Sequence, residues 1–416
     1  MGSCKYSFVK FEKPSKRVSL KFQFNKSWKN FSLTKKLINA LEINGGLAYL
    51  VGGSVRNIIL GQPVNDIDIA TNLVPEKVIE ISKKKGFEVI ETGVSFGTIT
   101  LIIQGVKFEV TTFRSDIETD GRYATVKFTS DIELDAMRRD FTINSIYMKI
   151  SGEIVDPLNS MEDLLARKVK FIGNADERIK EDKLRILRFF RFLAEFDKSI
   201  EDIDSITLKA LKKYKKDLKL ISKERLRMEL ERTISVYTPQ KMFSIMIRLG
   251  ILDDIFPSIK IDGLRQLLKA EKKYHITAPP LVRLLSLNSA IGDKWSKYVA
   301  LSKKEKRFLE DISQSLETYS ELMVVAYKFG PNVAESWLLN LGNKVSKVKP
   351  NEVKKIIENG CKVLFPIKGE DLLEEFEEGP EIGSALINLE KLWVNSGFKM
   401  SKKDLLSKIP TNFKAI

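Results

Sequence analysis

The sequence predicts an α+β protein in which a small mixed domain precedes a long helical region. Between residues 46 and 150, short β-branched runs alternate with turns and with one helical stretch, PEKVIEISKKKG; the runs are AYLVG, DIDIAT, TITLII and KFEVTTF. From residue 161 onward, helical periodicity dominates, as in KERLRMELERTI and PQKMFSIMIRLGIL. The change of pattern predicts a mixed head followed by an all-helical remainder.

Length and charge limit the function. A chain of 416 residues with 43% hydrophobic content can form roughly two to four packed domains. Charged residues make up 30% of it, and it lacks the ~20 uninterrupted apolar residues of a membrane span, so no membrane function is expected. Because 70 Lys and Arg outnumber 55 Asp and Glu, the net charge is +15, which favours a polyanionic partner such as nucleic acid.

Cysteine and histidine are too scarce for several kinds of chemistry. Cys4 and Cys361 lie far apart, so we predict neither a disulfide framework nor a cysteine zinc site, and a reducing compartment fits. The single histidine, His275, excludes a histidine cluster and is interpreted as structural. We expect a cytoplasmic protein, although the basic, motif-free segment 1–40 leaves organellar targeting open.

The stretch VGGSVRN predicts an anion-binding turn. A strand that ends at Gly52 and Gly53, followed by a helix from about Ser54, exposes backbone N–H groups that no side chain covers. Arg56 adds a cation to the same place. The turn therefore suits a triphosphate.

The stretch DID predicts a metal site. On a strand, Asp66 and Asp68 point to the same face, where two nearby carboxylates repel unless a cation bridges them. The alternative is a pair of surface carboxylates. Next to the glycine turn, Mg²⁺ and two-metal nucleotidyl transfer are the favoured interpretation.

The stretch ERIKEDKLRILRFFRFLAEF predicts a charged helix face. Helical spacing sets Asp182 beside Arg185 and carries Arg188 along one flank. Alone, this pattern is typical of a solvated face with salt bridges. A carboxylate and a guanidinium together can also accept from the amino group and donate to the ring nitrogen of cytosine or adenine, whereas guanine and uracil present the reverse order.

Several motifs in the same order resemble the class II tRNA nucleotidyltransferase and bacterial poly(A) polymerase family. They are GGSVRN, DID, RRDFTIN at 138–144, EDKLR at 181–185, TDGRYATVKF, ISKERLRMEL, and the C-terminal IKGEDL and EGPEIGSAL. The resemblance covers most of the chain after about residue 40. It implies a polymerase-β-like nucleotidyltransferase head at 41–160, a helical neck at 161–235, a helical body at 236–330 and a tRNA-binding helical tail at 331–416.

The resemblance also implies roles for particular residues. It implies that Gly53 and Arg56 bind the triphosphate, that Asp66 and Asp68 bind Mg²⁺, and that Arg139 contacts the ribose or phosphate region. The residues implied to bind the incoming nucleotide are Asp182, Arg185, Arg188 and Arg191. The family usually has Asp where this chain has Asn57. Weaker candidates are a third carboxylate at Glu109, a mobile-loop arginine at Arg122, and Arg138 and Asp140 as braces for Arg139.

The expected activity is template-independent addition of C, C and A to the 3′ end of tRNA from CTP and ATP. A poly(A) polymerase and a partial enzyme that adds only CC or only A remain open within the same chemistry. A basic RNA-binding protein with an inactive head is the alternative of another class. No protein partner is inferred.

Overall fold

A computed structural model describes residues 8–9, 21–22, 28, 30–64, 66–120, 123–256, 258–288, 296–341, 348–376 and 379–409. Most of the basic segment 1–40 and Arg122 therefore lie outside the described residues. The chain divides into two compact units, Met1–Pro257 and Ser258–Ile416. The described residues contain no helix that is long and apolar enough to cross a membrane.

Strands are concentrated in the first part of the first unit. They are β1 (Phe8–Val9), β2 (Lys21–Phe22), β3 (Ala48–Val51), β4 (Ile67–Thr71), β5 (Glu88–Gly93), β6 (Thr98–Ile103), β7 (Val106–Thr112), β8 (Arg114–Asp120), β9 (Tyr123–Phe128), β10 (Tyr147–Met148) and β11 (Ile154–Val155). The predicted β-branched runs correspond to β3, β4, β6 and β7. Within the described residues, the last strand ends at Val155, so the predicted change to helical structure is confirmed.

Helices make up most of the remainder. In the first unit they are α1 (Phe31–Ile43), α2 (Gly53–Ile59), α3 (Pro75–Lys84), α4 (Ile132–Met137), α5 (Met161–Leu165), α6 (Ala175–Glu181), α7 (Leu184–Glu195), α8 (Ser205–Tyr214), α9 (Lys223–Ile234) and α10 (Pro239–Arg248). In the second they are α11 (Ile261–Tyr274), α12 (Pro280–Leu285), α13 (Lys303–Thr318), α14 (Leu322–Phe329), α15 (Pro331–Leu341), α16 (Val353–Lys362), α17 (Pro380–Asn395) and α18 (Lys402–Leu406).

A mixed sheet of seven strands forms the head, in the order β11-β10-β3-β4-β7-β6-β5. The central strand β4 pairs antiparallel with β3 and parallel with β7, while β6 pairs antiparallel with both β7 and β5. Ile67 and Ile69 on β4 are buried, so the strand is held from one face by the core. Asp68, between these two residues, points to the opposite face of the strand.

Helix α7 packs through an aromatic cluster that fixes it against the segment after α4. Phe189 stacks on Phe171 with ring centroids 5.5 Å apart, and Phe141 meets Phe192 edge to face at 5.4 Å. Such aromatic pairs bury large areas in a defined geometry. Residues 138–144 and the polar side of α7 are therefore held at a fixed separation.

The second unit has its own helical cores. Trp337 on α15 is fully buried, and its indole N–H donates to the carbonyl of Ser315 at 3.1 Å. Arg283 and Glu271 form a buried ion pair at 2.7 Å between α12 and α11. Trp393 on α17 lies in a further cluster with Leu372 and Leu405. This unit therefore has hydrophobic cores of its own.

Candidate active site

The glycine turn lies where the sequence predicted it. Strand β3 ends at Val51, Gly52 adopts a left-handed backbone with φ 63°, and α2 begins at Gly53. A Cβ built on Gly52 would lie 3.6 Å from Asp68 Oδ2 and 3.8 Å from Arg139 Nη1. Glycine is therefore suited to this position both by its backbone conformation and by the charged groups that approach it.

The hydroxyl of Ser54 joins this turn to the predicted metal-binding segment. It is fully buried, donates to the carbonyl oxygen of Asp66 at 3.0 Å and accepts from the backbone N–H of Asp68 at 2.9 Å. Because one side chain bonds both sides of the DID stretch, the start of α2 and the two aspartates keep a fixed relation. Sequence reasoning did not find this contact.

The two predicted metal ligands differ in environment. Asp66 is exposed and directly precedes β4, whereas Asp68 lies within the strand and is only partly exposed. Asp68 is paired in register with Glu109 on β7, and Glu109 forms an ion pair with Lys107 at 2.6 Å. Burial, followed by the negative charge of Glu109, raises the pKa of Asp68 to about 6, although Arg139 opposes the shift.

These carboxylates suit a divalent cation. A bound cation would stabilise the Asp68 carboxylate against both its burial and the negative charge of Glu109, the two causes that raise its pKa. Among the described residues no group of three or more His, Cys, Asp or Glu is arranged to hold a metal alone. Magnesium is often held by one or two carboxylates, with substrate phosphates and water completing its shell, so two aspartates fit such an ion.

A buried carboxylate, Asp135, anchors the predicted ribose or phosphate residue Arg139. Asp135 on α4 accepts from Arg139 Nη2 at 2.8 Å, pairs with Arg138 Nη2 at 2.7 Å and accepts from the Tyr147 hydroxyl at 2.7 Å. Burial raises the pKa of Asp135, but Arg139 and Arg138 more than offset it and hold that pKa below its usual value. Arg138 was expected to brace Arg139, and the two arginines are connected through the Asp135 carboxylate that both of them bind.

Asp140 was expected to brace Arg139, but it pairs with Arg188 on α7 instead. Its Oδ2 accepts from Arg188 Nε at 2.7 Å, and its Oδ1 accepts from Asn144 at 3.1 Å. Burial raises the pKa of Asp140, but Arg188 and Asn144 outweigh this and lower it to about 2. Asp140 is drawn to Arg188 because the aromatic packing of α7 brings that guanidinium to it.

Arg56 extends this network to the glycine turn. Its Nη1 donates to Asn144 Oδ1 at 2.6 Å, its Nη2 lies 3.8 Å from Glu195 Oε2, and its guanidinium lies over the Phe192 ring. Burial lowers the pKa of Arg56, partly opposed by Glu195. The neighbouring Asn57 donates its amide to the carbonyl of Pro63 at 2.8 Å, a bond that an aspartate could not donate.

The prediction that Asp182 and Arg185 lie side by side on one helix is wrong. Helix α6 ends at Glu181, Asp182 has an extended backbone, and α7 begins at Leu184. The Asp182 carboxylate accepts from the N–H of Leu184 at 3.1 Å, so it bonds the start of the next helix rather than continuing the first. The helix therefore breaks at the predicted reading pair.

Each member of that pair has another partner. Asp182 forms an ion pair at 2.7 Å with Arg225 on α9, and Arg185 pairs with Glu181. Glu181 also binds Arg178 at 2.6 Å, and Arg178 in turn donates to the carbonyl oxygens of residues 138 and 139. Arg185 is thereby tied to the segment that contains Arg139, whereas the Asp182 carboxylate is held by α9.

Glu229 is a buried acid that was not predicted as a site residue, and it pairs with two predicted nucleotide-binding arginines. It is 2% exposed on α9, with Oε1 3.6 Å from Arg188 Nη1 and Oε2 3.3 Å from Arg191 Nε. Burial lowers the pKa of Arg191 to about 10, and the charge of Glu229 limits that fall. Glu229 adds a buried counter-charge to two arginines that also have other acidic partners, Asp140 at Arg188 and Glu195 at Arg191.

One cleft of about 500 Å³ brings all nine predicted site residues together. Its lining holds Gly53, Arg56, Asp66, Asp68, Arg139, Asp182, Arg185, Arg188 and Arg191. It also holds Gly52 of the predicted anion-binding turn and residues that were given no site role from the sequence: Asn144, Leu184, Phe192, Arg225 and Arg232. Arginines outnumber aspartates by eight to four in the lining, so the cleft carries a net positive charge that suits a polyphosphate.

The lining residues on α9 were not predicted as site residues, although Arg225 lies in the motif ISKERLRMEL. Arg225 and Arg232 lie in KERLRMELERTI, which has the spacing of an ordinary amphipathic helix. Only the packing of α9 against α7 brings them to Asp182 and Arg191. Gly52 and Asn144, like Arg225, lie inside motifs that carry the family resemblance, whereas Arg232 lies outside them.

Comparison with known proteins identifies the family. The model for the Poly A polymerase head domain matches residues 48–170, and the model described as a probable RNA and SrmB-binding site of polymerase A matches residues 202–262. The mitochondrial CCA tRNA nucleotidyltransferase 1 of Mus musculus is 32% identical over 378 residues, which cover 86% of each chain. The CCA-adding enzyme of Lactococcus lactis is 28% identical over 393 residues, or 91% of this chain and 97% of that protein.

Solved structures share the fold. The Bacillus stearothermophilus CCA-adding enzyme in complex with CTP superposes with a TM-score of 0.70 at 24% identity, covering 89% of this chain and 94% of that one. The Thermotoga maritima CCA-adding enzyme complexed with tRNA gives a TM-score of 0.62 at 20% identity, with 91% and 94% covered. The identity to the mouse protein extends over nearly the whole chain, and the chain therefore belongs to the family of tRNA nucleotidyltransferases and poly(A) polymerases.

Proposed function

We propose that the protein adds C, C and A to the 3′ end of tRNA, using CTP and ATP without a nucleic-acid template. The observation that carries the proposal is the single cleft that joins two aspartates at the start of the central strand β4 to an arginine-rich helix and to Asp182 and Arg185. The relatives' names, CCA tRNA nucleotidyltransferase and CCA-adding enzyme, support the same activity.

In the proposed reaction, the 3′ hydroxyl of the RNA attacks the α-phosphorus of the nucleotide and pyrophosphate leaves. Mg²⁺ held by Asp66, Asp68 and the triphosphate oxygens would activate that hydroxyl and offset the charge on the leaving group. The triphosphate lies near Gly53 and Arg56, where the exposed N–H groups and the guanidinium can donate to it. Ser54 keeps these donors in register with the aspartates.

Base choice is assigned to Asp182 and Arg185. The carboxylate accepts from the amino group of cytosine or adenine, and the guanidinium donates to the adjacent ring nitrogen. Arg225 and Glu181 hold these two groups in place through ion pairs, which limits the entropy lost when a base binds. A base with the reverse order of donor and acceptor would leave both groups unpaired.

The wider assignment rests on the resemblance and on charge. We propose that the chain consists of the head at 41–160, neck at 161–235, body at 236–330 and tail at 331–416, with the RNA backbone held by Lys and Arg of the helical region. The matched RNA-binding model at 202–262 supports an RNA contact in that region. We propose a cytoplasmic location. Because relatives such as the mouse protein are mitochondrial, this location is tested by asking whether residues 1–40 direct import into mitochondria.

The test is nucleotide addition to four tRNA transcripts that end before the CCA, after C, after CC and after CCA. Each is incubated with CTP, ATP, UTP or GTP separately and with CTP and ATP together, and the 3′ ends are sequenced. The proposal expects CTP alone to extend the first transcript by exactly two C, ATP to add one A only after CC, and no addition to the complete end.

Other outcomes identify the alternatives. Runs of A would indicate a poly(A) polymerase, arrest after CC or activity only after CC would indicate a partial enzyme, and tRNA binding without any addition would indicate an inactive RNA-binding protein. Asp68→Ala should abolish addition while tRNA affinity stays unchanged. Asp262→Ala, which removes an exposed aspartate on α11, is the matched control and should retain full activity.

A further inference from the structure

Tyr147 contacts the predicted nucleotide-binding Arg139 at two points and Asp135, the ion-pair partner of Arg139, at a third. Its ring lies below the Arg139 guanidinium, 5.2 Å from ring centroid to guanidinium carbon, and its hydroxyl accepts from Arg139 Nε at 3.1 Å. The same hydroxyl donates to Asp135 Oδ2 at 2.7 Å. Tyr147 is fully buried on β10, whose register sets it opposite Val51, the residue that precedes the glycine turn.

These contacts leave one end of Arg139 directed at the glycine turn. Nε is held by Tyr147 and Nη2 by Asp135, while Nη1 has no hydrogen bond to a described residue. A Cβ built on Gly52 would approach this Nη1 to 3.8 Å and Asp68 Oδ2 to 3.6 Å. The unengaged nitrogen therefore faces the place where the nucleotide would meet the metal-binding carboxylate.

We propose that Tyr147 is a positioning residue for nucleotide binding, and that it acts by holding the Arg139 guanidinium so that Nη1 points to the sugar–phosphate of the bound nucleoside triphosphate. This inference rests on the proposed function. Neither the sequence motifs nor the comparisons assign a role to Tyr147.

A fixed guanidinium matters because an arginine side chain has many rotamers. Asp135 alone attracts the guanidinium, but a single ion pair lets the plane of the group turn about that contact. The second contact, from Nε to the Tyr147 hydroxyl, fixes the plane. Removing it should weaken binding of the nucleotide in the ground state and transition state alike, which raises KM and leaves kcat nearly unchanged.

Tyr147→Phe is the informative substitution because it removes the hydroxyl and keeps the ring. Tyr49→Phe is the matched control: Tyr49 lies in the same aromatic cluster, with its ring centroid 6.2 Å from that of Tyr147, and its hydroxyl has no hydrogen bond to a described residue. We expect Tyr147→Phe to raise the KM for CTP about 3- to 10-fold, as the loss of one hydrogen bond implies, with kcat within about twofold. Tyr49→Phe should leave both at the wild-type value.

A double-mutant cycle shows whether Tyr147 acts through Arg139. Arg139→Lys keeps the charge but has no guanidinium plane to orient, so Tyr147→Phe should raise KM no further in that background. A full additional rise would overturn the inference, because the hydroxyl would then act without Arg139.

The kinetic comparison also separates this inference from the proposed function. If the wild type adds nucleotides and the two Tyr→Phe variants have equal KM values, the inference is wrong and the function stands. A Tyr147→Phe variant that loses kcat and thermal stability together, at unchanged KM, would equally overturn it, since the hydroxyl would be purely structural. If the wild type adds no nucleotide to any tRNA, the proposed function fails and the role of Tyr147 fails with it.

Discussion

Removing the charge of Asp68 should stabilise the protein while it abolishes nucleotide addition. Burial and the nearby Glu109 raise the pKa of Asp68 to about 6, against about 3.9 for an aspartate in an unfolded chain. Each pKa unit corresponds to about 1.36 kcal/mol, so the ionised carboxylate destabilises the folded state by at most about 3 kcal/mol. Since Asp68 is partly open to the cleft, we expect about 1–3 kcal/mol.

The sign of the pH dependence follows from the direction of the shift. A carboxyl with a raised pKa holds its proton more tightly in the folded protein than in the unfolded chain, so its contribution to the free energy of unfolding is most favourable at low pH. That contribution falls as the pH rises from about 4 through about 6 and is constant above about 7. The Asp68→Asn side chain does not ionise, so the variant does not lose this stability. Its free energy of unfolding should therefore exceed that of the wild type by an amount that grows across the same pH interval.

The assay is thermal unfolding of wild type and Asp68→Asn in EDTA at pH 5 and pH 7.5. We expect the variant to melt a few degrees higher at pH 7.5 and to lose about half of that advantage at pH 5. Mg²⁺ should then raise the melting temperature of the wild type but not of the variant, because the ion binds only the ionised pair. Equal responses of the two proteins to pH and to Mg²⁺ would refute the reasoning.

Local patterns predicted the centre of the site well. Alternation along β4 and the glycine pair after β3 depend on residues that are close in sequence, and both are confirmed. The cleft also contains the nine site residues to which the resemblance gave nucleotide or metal roles, but not the weaker candidate Glu109. Short-range geometry was sufficient here because one turn and one strand determine where Gly53 and Asp68 lie.

The side-chain contacts that the sequence could not predict join residues that are far apart in the chain. Helical spacing alone predicted Asp182 beside Arg185, but an aspartate can bond the N–H of the next helix, and Arg225, 43 residues away, takes its other oxygen. The Arg56 contact with Asn144 spans 88 residues. Charged residues such as Glu229 have the same helical pattern whether they face solvent or a buried arginine, so only the packed structure distinguishes them.

The remaining predictions concern base choice, the arginine network and the RNA surface. Asp182→Ala removes the acceptor for the base amino group and should reduce the preference for CTP over UTP in kcat/KM by about 1–3 kcal/mol; unchanged preference would leave Asp182 only its ion pair with Arg225. Glu229→Gln should lower the free energy of unfolding in urea by about 3 kcal/mol because the buried Arg191 loses its nearer counter-charge, whereas Glu231→Gln on the same helix, which breaks a more exposed ion pair, should cost less than about 1 kcal/mol. Equal losses would contradict that assignment. For the RNA, α8 and the turn after it carry four exposed lysines at helical spacing that form no ion pair with a described acid: Lys209, Lys212, Lys216 and Lys219. If they lie against phosphates, replacing all four by Gln should weaken tRNA binding and make the log–log slope of affinity against salt shallower by about 3, since each phosphate contact contributes roughly 0.7–0.9. The matched control replaces the lysines of α3 that are already paired with Glu80 and Glu91, namely Lys77, Lys83 and Lys84. Because those charges are neutralised within the protein, the control should leave the slope unchanged, and equal slopes for the two variants would show that the α8 lysines do not touch the RNA backbone.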